Sequence, residues 1–206
     1  MKAAKTDLYL ASQSPRRREL LTQIGVSYEV LNIDVDESVN INEIPEEYVE
    51  RLAKEKALAG WKINKLAEKP FLGADTAVVI HGEILGKPQN RQHAIRMLAL
   101  LSGQTHQVIS AVALAFKNQS SSELELKSVI SVSNVSFRKL SKTEIEHYVN
   151  STECNDKAGA YAIQGLAAAF ITHLSGSYSG VMGLPLYETA ELLHKAGIST
   201  DSLVVS

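Results

Sequence analysis

Residues 7–11, DLYLA, read as a short strand that passes through only Ser12, Gln13 and Ser14 before a helix whose first residue is Pro15. Leu20, Leu21 and Ile24 keep helical spacing, and Gly25 marks the stop. A strand handed directly to a helix restricts the chain to folds in which helices pack on a sheet. The remaining pattern agrees. Residues 28–34, YEVLNID, are a second strand candidate, and Pro45 opens a long helix that the spacing carries to Ala67. Residues 71–88 read as two strands about a His81-Gly82 turn, and Asn90 is placed to cap a helix over 91–101. Residues 107–116 and 125–140 form two long strand patterns joined by the polar tip 117–123, expected to be a mobile hairpin loop. A helix follows over 141–150, a strand and a glycine-rich loop share residues 159–185, and a last helix covers 186–195. No repeat or linker divides the chain, so one α/β domain over residues 1–206 is expected.

With 206 residues and 45% hydrophobic content, the chain can bury a core without disulfides. No apolar run is long enough to cross a bilayer, and the N-terminal segment lacks the central stretch of a secretory signal, so a cytoplasmic protein is expected. Cys154 is the single cysteine, which excludes an internal disulfide or a Cys-Cys zinc pair. A net charge of -2 argues against wrapping a long nucleic acid, so any anion site must be local.

The turn Ser12-Gln13-Ser14-Pro15-Arg16-Arg17-Arg18 is such a site in outline. A helix start carries partial positive charge and free N–H groups, so arginines there are unfavourable unless an anion is present. Helical geometry puts Arg16 in line with Leu20 and Ile24 and Arg17 with Leu21, whereas Arg18 falls on the outer side with Thr22. The alternative is a solvated basic turn. In the helix after Pro45, Lys56 shares the apolar stripe of Val49, Leu52 and Ala53. Its ammonium either snorkels to an edge or reaches a bound phosphate chain.

Asp75 interrupts the otherwise apolar FLGADTAVVI, where an unpaired carboxylate would cost several kcal/mol. An ion pair with Lys87 is one resolution, and a metal or a water nucleophile is another. An aspartate near pKa 3.9 is about twelve units, roughly 16 kcal/mol, short of deprotonating free water, so a divalent metal is expected with it. The acidic stretch Asp34, Asp36, Glu37 offers a further ligand, with Glu37 the choice against a plain solvated loop. The six histidines lack zinc-ligand spacing, and the glycines form no nucleotide-loop fingerprint.

Six ordered segments, LYLASQSPRRRELL, PEEYVERLAKEKA, LGADTAVVIHGEILGKP, LSGQTHQV, DKAGAYAIQG and GSYSGVMGLPL, resemble the Maf family of nucleoside triphosphate pyrophosphatases, from about residue 8 to about residue 197. The resemblance implies an elongated α/β fold similar to inosine triphosphate pyrophosphatases, with a mixed twisted sheet, flanking helices and two lobes around a cleft. It also implies hydrolysis of a nucleoside triphosphate to monophosphate and pyrophosphate with Mg or Mn, and a homodimer. By matching position, Asp75 would be the proton acceptor; the metal expected from the carboxylates themselves is assigned to Glu37 and Asp75. Arg16, Thr76 and Gln164 match the specificity residues of the dTTP/UTP branch, and Ser12, Arg17, Glu37, Lys56 and Lys87 match polar cleft positions. Gln164 offers a donor and an acceptor to a uracil or thymine edge; the alternative is a glutamine serving its own glycine-rich turn. A 7-methyl-GTP pyrophosphatase and a nucleotide-binding regulator of cell division are the competing functional expectations.

Overall fold

The computed structural model describes residues 6–63, 68–118, 121 and 123–198. Its sheet contains β1 (Leu8–Leu10), β2 (Tyr28–Val30), β3 (Phe71–Ile80), β4 (Glu83–Leu85), β5 (Thr105–Lys117), β6 (Leu124–Phe137) and β7 (Ile171–Ser175). The strand order is β2-β1-β3-β5-β6-β7, with β4 also on β3. β1 runs parallel to β2 and β3, and every other pairing is antiparallel, so the sheet is mixed. The helices are α1 (Pro15–Gln23), α2 (Pro45–Ile63), α3 (Arg91–Leu101), α4 (Lys142–Asn150), α5 (Tyr178–Met182) and α6 (Leu186–Lys195).

β3 organises the rest. On one side it pairs with β5 from Phe71 to Val79. On the other, β1 covers only Phe71 and Leu72, and β4 covers only Val78 to Ile80. Residues 73–77 therefore lack a strand neighbour on that side, and there β1 ends and the chain turns through Ser12 into α1.

Strand alternation sends Phe71, Ala77 and Val79 to one face and Leu72, Ala74 and Val78 to the other. The first face packs on α2 through Val49, Ala53 and Ala57. The second carries two cores. One joins Leu72 and Ala74 to α1 and α6, and the other joins Val78 and Ile80 to α3 and α4. Thr76, between them, reaches Ser110 of β5 at 2.8 Å. Among the described residues, no helix is long and apolar enough to cross a membrane.

Most element boundaries follow the local signals. Asn90 caps α3 by accepting from the His93 N–H, and Ser141 with Glu144 forms a capping box on α4. His81 and Gly82, both at positive φ, make the tight β3–β4 turn. β2 is shorter than the 28–34 pattern, because its partner β1 is only three residues long and leaves the sheet at Ser12. The glycine-rich segment contains α5 where a loop is expected; Ser177 caps it by accepting from Gly180 N–H. The expected end of α2 at 64–67 and residues 119, 120 and 122 of the tip lie outside the described residues. His106 is buried against Phe137 and Tyr161, and burial pulls it down to about 4, a neutral core histidine. Cys154 is buried too, and burial pushes its thiol up.

Gly73 sets the distance between α2 and β3. A Cβ there would lie 2.2 Å from the Ala53 carbonyl oxygen and 2.6 Å from the Ala57 nitrogen, both backbone atoms that cannot rotate away. Gly73→Ala is expected to cost about 1–3 kcal/mol or more through overpacking, with the melting temperature falling roughly 2–4 °C per kcal/mol. Gly86→Ala, where the added Cβ meets nothing within 4 Å, is the control. Equal melting temperatures for the two variants in a thermal scan would contradict this account.

Candidate active site

The gap beside residues 73–77 opens into a cleft of about 770 Å³, within the size range of small-ligand sites. Ser12, Arg16, Arg17, Glu37, Lys56, Asp75, Thr76, Lys87 and Gln164 all line it, so tertiary structure brings together the residues chosen for the site, while Asp34 and Asp36 of the acidic stretch do not line it.

Lys56 is the link between its acidic residues. It lies on the buried stripe of α2, 8% exposed, and its Nζ donates to Asp75 Oδ1 at 2.7 Å and to Glu37 Oε1 at 2.6 Å. The partner of Asp75 is thus Lys56, not Lys87. Lys87 follows β4 at the cleft rim, largely exposed, with its Nζ 3.9 Å from Glu37 Oε2. Asp75 Oδ2 has no hydrogen bond among the described residues and is not sealed from solvent. Burial alone would raise the Glu37 carboxyl, but Lys56, Lys87 and Arg17 hold it below its ordinary value.

The loop bearing Glu37 is pinned from α2. Tyr48 Oη donates to the Glu37 carbonyl at 3.0 Å, and Arg51 donates to the Ser38 carbonyl at 2.9 Å and to both Glu43 oxygens. Burial, with Asp75 and Glu37 nearby, pushes Tyr48 up to about 12, so its hydroxyl remains a donor.

The arginines divide as helical spacing requires. Arg17 is wholly engaged: Nε donates to the Gly183 carbonyl at 2.8 Å, Nη1 to Ser12 Oγ at 3.0 Å and Nη2 to Thr76 Oγ1 at 3.5 Å. Arg16 uses only Nε, on the Met182 carbonyl at 3.2 Å. Neither forms an ion pair among the described residues. Burial lowers both guanidinium groups from their ordinary value; Asp75 offsets part of this for Arg17, which Arg16 then opposes, and Glu19 and Asp156 offset part of it for Arg16. Two desolvated neighbouring cations with no carboxylate at ion-pair distance favour an anion. Ser14 occupies the N-cap position of α1 but its side chain caps nothing, which leaves helix-start N–H groups to a ligand.

Gln164 is exposed at the far wall, and its amide has no partner among the described residues. Three contributors are absent from the sequence reading. The Met182 and Gly183 carbonyls at the end of α5 orient the arginines, Ser110 positions Thr76, and Lys157 lines the cleft. Burial, then Arg16, lowers the Lys157 ammonium, as for a cation beside another cation. Its position within DKAGAYAIQG was the available signal. Carbonyls, common to all residues, gave none.

A mixed α/β scaffold whose cleft sets unpaired arginines opposite a Lys56-bridged carboxylate pair defines a protein suited to an anionic ligand. The chain belongs to the Maf family: the model described as "Maf-like protein" matches residues 7–196. It is 50% identical to a dTTP/UTP pyrophosphatase of Pseudoalteromonas atlantica, over 94% of this chain and 99% of that protein. It is 52% identical to a dTTP/UTP pyrophosphatase of Nitrosospira multiformis, over 93% of this chain and 95% of that protein.

The acidic loop has a testable pH signature. Hydrogen bonding by Arg51 holds Glu43 down at about 2 against an ordinary 4.5. A depressed folded pKa gives stability that is complete above the unfolded value and lost as pH falls through the folded one. The stability difference between the parent and Arg51→Gln is therefore expected to be full above pH 4.5 and to narrow between pH 4.5 and about 2, toward what the Ser38 carbonyl bond contributes. A difference unchanged across that window in pH-resolved thermal unfolding would sink the assignment.

Proposed function

We propose that this chain is a cytoplasmic nucleoside triphosphate pyrophosphatase that hydrolyses dTTP and UTP to the monophosphate and pyrophosphate. The observation that carries the reading is the convergence, in one cleft, of two arginines without carboxylate partners and a carboxylate pair bridged by Lys56. The two relatives named dTTP/UTP pyrophosphatase, each about half identical over nearly full length, support the reaction and the substrates.

In this mechanism the triphosphate lies across the start of α1. Arg16, with both terminal nitrogens uncommitted, binds phosphate oxygens, while Arg17 holds Ser12 and Thr76 in register and adds its charge. Lys87 and Lys157 close the cationic ring from the rim. Lys56 fixes the Asp75 carboxylate through Oδ1, and Oδ2 orients the attacking water and takes its proton. Preorganised positive charge around the transferring phosphorus supplies most of the acceleration. Gln164 reads the base with its amide.

A divalent cation fits the donor set. Glu37 and Asp75 are two carboxylates within hydrogen-bond distance of one ammonium, and Mg-like ions bind through one or two carboxylates plus substrate phosphate oxygens. Among the described residues no cluster of three His, Cys, Asp or Glu side chains would hold a metal without such substrate oxygens. When bound, Mg or Mn would neutralise phosphate charge and acidify water there.

Asp75→Asn is expected to lower kcat by about 10²–10⁴-fold, the usual contribution of a general base, while nucleotide binding persists. Pyrophosphate release from dTTP, UTP and 7-methyl-GTP, with and without Mg or Mn, is the measurement. Near-full turnover by folded Asp75→Asn would remove Asp75 as base, preference for 7-methyl-GTP would reassign the branch, and binding without release would favour the regulator reading. We also propose, from the family resemblance, that the enzyme is a homodimer; sedimentation at the monomer mass would contradict it.

A further inference from the structure

Gln164 sits in a loop whose backbone is held by a carboxylate from another part of the chain. Glu153 follows α4 and does not line the cleft. Its Oε2 accepts the Leu166 N–H at 2.9 Å, and its Oε1 accepts the Ala167 N–H at 3.4 Å and the Tyr148 hydroxyl at 2.8 Å. The same Tyr148 oxygen accepts the Ala162 N–H at 3.3 Å. Through one carboxylate and one phenol, the backbone is therefore fixed two residues before Gln164 and two residues after it.

The fit is close. Gly165 occupies the cap position of the 3₁₀ turn Leu166–Phe170 and has no side chain to cap it, so Glu153 supplies the cap from outside the turn. A Cβ at position 165 would lie 2.2 Å from Glu153 Oε2, so glycine is what lets the carboxylate reach those N–H groups. On the upstream side, Tyr161 is tied to His106 at 2.8 Å. With the backbone clamped on both sides and its amide unengaged, Gln164 is free only in its side-chain torsions. A glutamine offers a donor at one amide atom and an acceptor at the other, and the backbone position from which it reaches decides which side-chain torsions bring each atom to the base edge.

We infer that Glu153 is a positioning residue for base selection, clamping the loop so that Gln164 presents its amide to a uracil or thymine edge in one orientation. This rests on the proposed pyrimidine nucleotide hydrolase. The chemistry at phosphorus centres on β3, α1 and α2 with Lys87 and Lys157 at the rim, and among the described residues the Glu153 carboxylate makes no hydrogen bond or ion pair to any of these side chains, so the two properties separate on mutation. A cap that served only the fold would lower stability and affect all nucleotides alike.

The test compares Glu153→Gln and Gly165→Ala with the parent, using UTP and CTP under identical conditions. Cytosine presents a donor where uracil presents an acceptor, so the pair reports the amide's orientation. The kcat/KM preference for UTP is expected to fall about three- to ten-fold, the size of one neutral hydrogen bond, mainly through a higher KM for UTP and with kcat within about two-fold. If Glu153→Gln fails to fold, Gly165→Ala carries the test from the other side of the same contact. Preference unchanged in a folded variant, or kcat lost equally on both nucleotides, would overturn the inference. So would a parent that hydrolyses UTP and CTP alike, although the hydrolase reading would survive. A parent that releases no pyrophosphate from any nucleotide removes that reading itself.

Discussion

The backbone contact between α2 and β3 at Gly73 is the constraint on which the cleft depends. With no Cβ between them, the helix rests against the strand, and the next inward residue on its stripe, Lys56, reaches Asp75 two positions along the strand. An aspartate in a strand buried on both faces is stable only with a partner, and a lysine on an apolar stripe is stable only with a counterion. Each answers the other, and Glu37 shares the ammonium. Because β1 and β4 leave the middle of β3 uncovered, this ion cluster faces the cleft rather than the core.

Opposite the cluster, charge is arranged by a different device. Arg16 and Arg17 are steered by carbonyl oxygens at the end of α5 rather than by carboxylates, which fixes their direction without cancelling their charge. Carbonyl dipoles offset part of the desolvation of a guanidinium but leave its field available to an anion. The two walls are thus complementary: one cationic and unpaired, the other a carboxylate pair sharing a cation. The loop with Glu37 is held from α2 by Tyr48, which itself lines the cleft, and by Arg51, whereas the loop with Gln164 is held from outside the cleft by Tyr148 and Glu153.

Much of the site was legible because its residues break local rules. Arginines at a helix start, a lysine on an apolar stripe and an aspartate in an apolar strand each oppose the structure around them, and all line the cleft. Its supporting parts were not. Glu153 lies in a polar stretch where a carboxylate is unremarkable, and the Met182 and Gly183 contributions are backbone atoms. Spacing also pointed Asp75 to Lys87, the nearer in sequence, whereas the partner in space is Lys56.

Periodicity, caps and turn residues determined the succession of strands and helices, since these depend on contacts within a few residues. The same local logic separated Arg16 and Arg17 from Arg18 and set Lys56 inward. Tertiary structure decided the strand order, the shortening of β2, the opening beside residues 73–77 and the partner of Asp75. Those features depend on how separate elements meet, which spacing within one element does not encode; at Gly73 the absence of a side chain lets α2 approach β3 closely enough for Lys56 to reach Asp75.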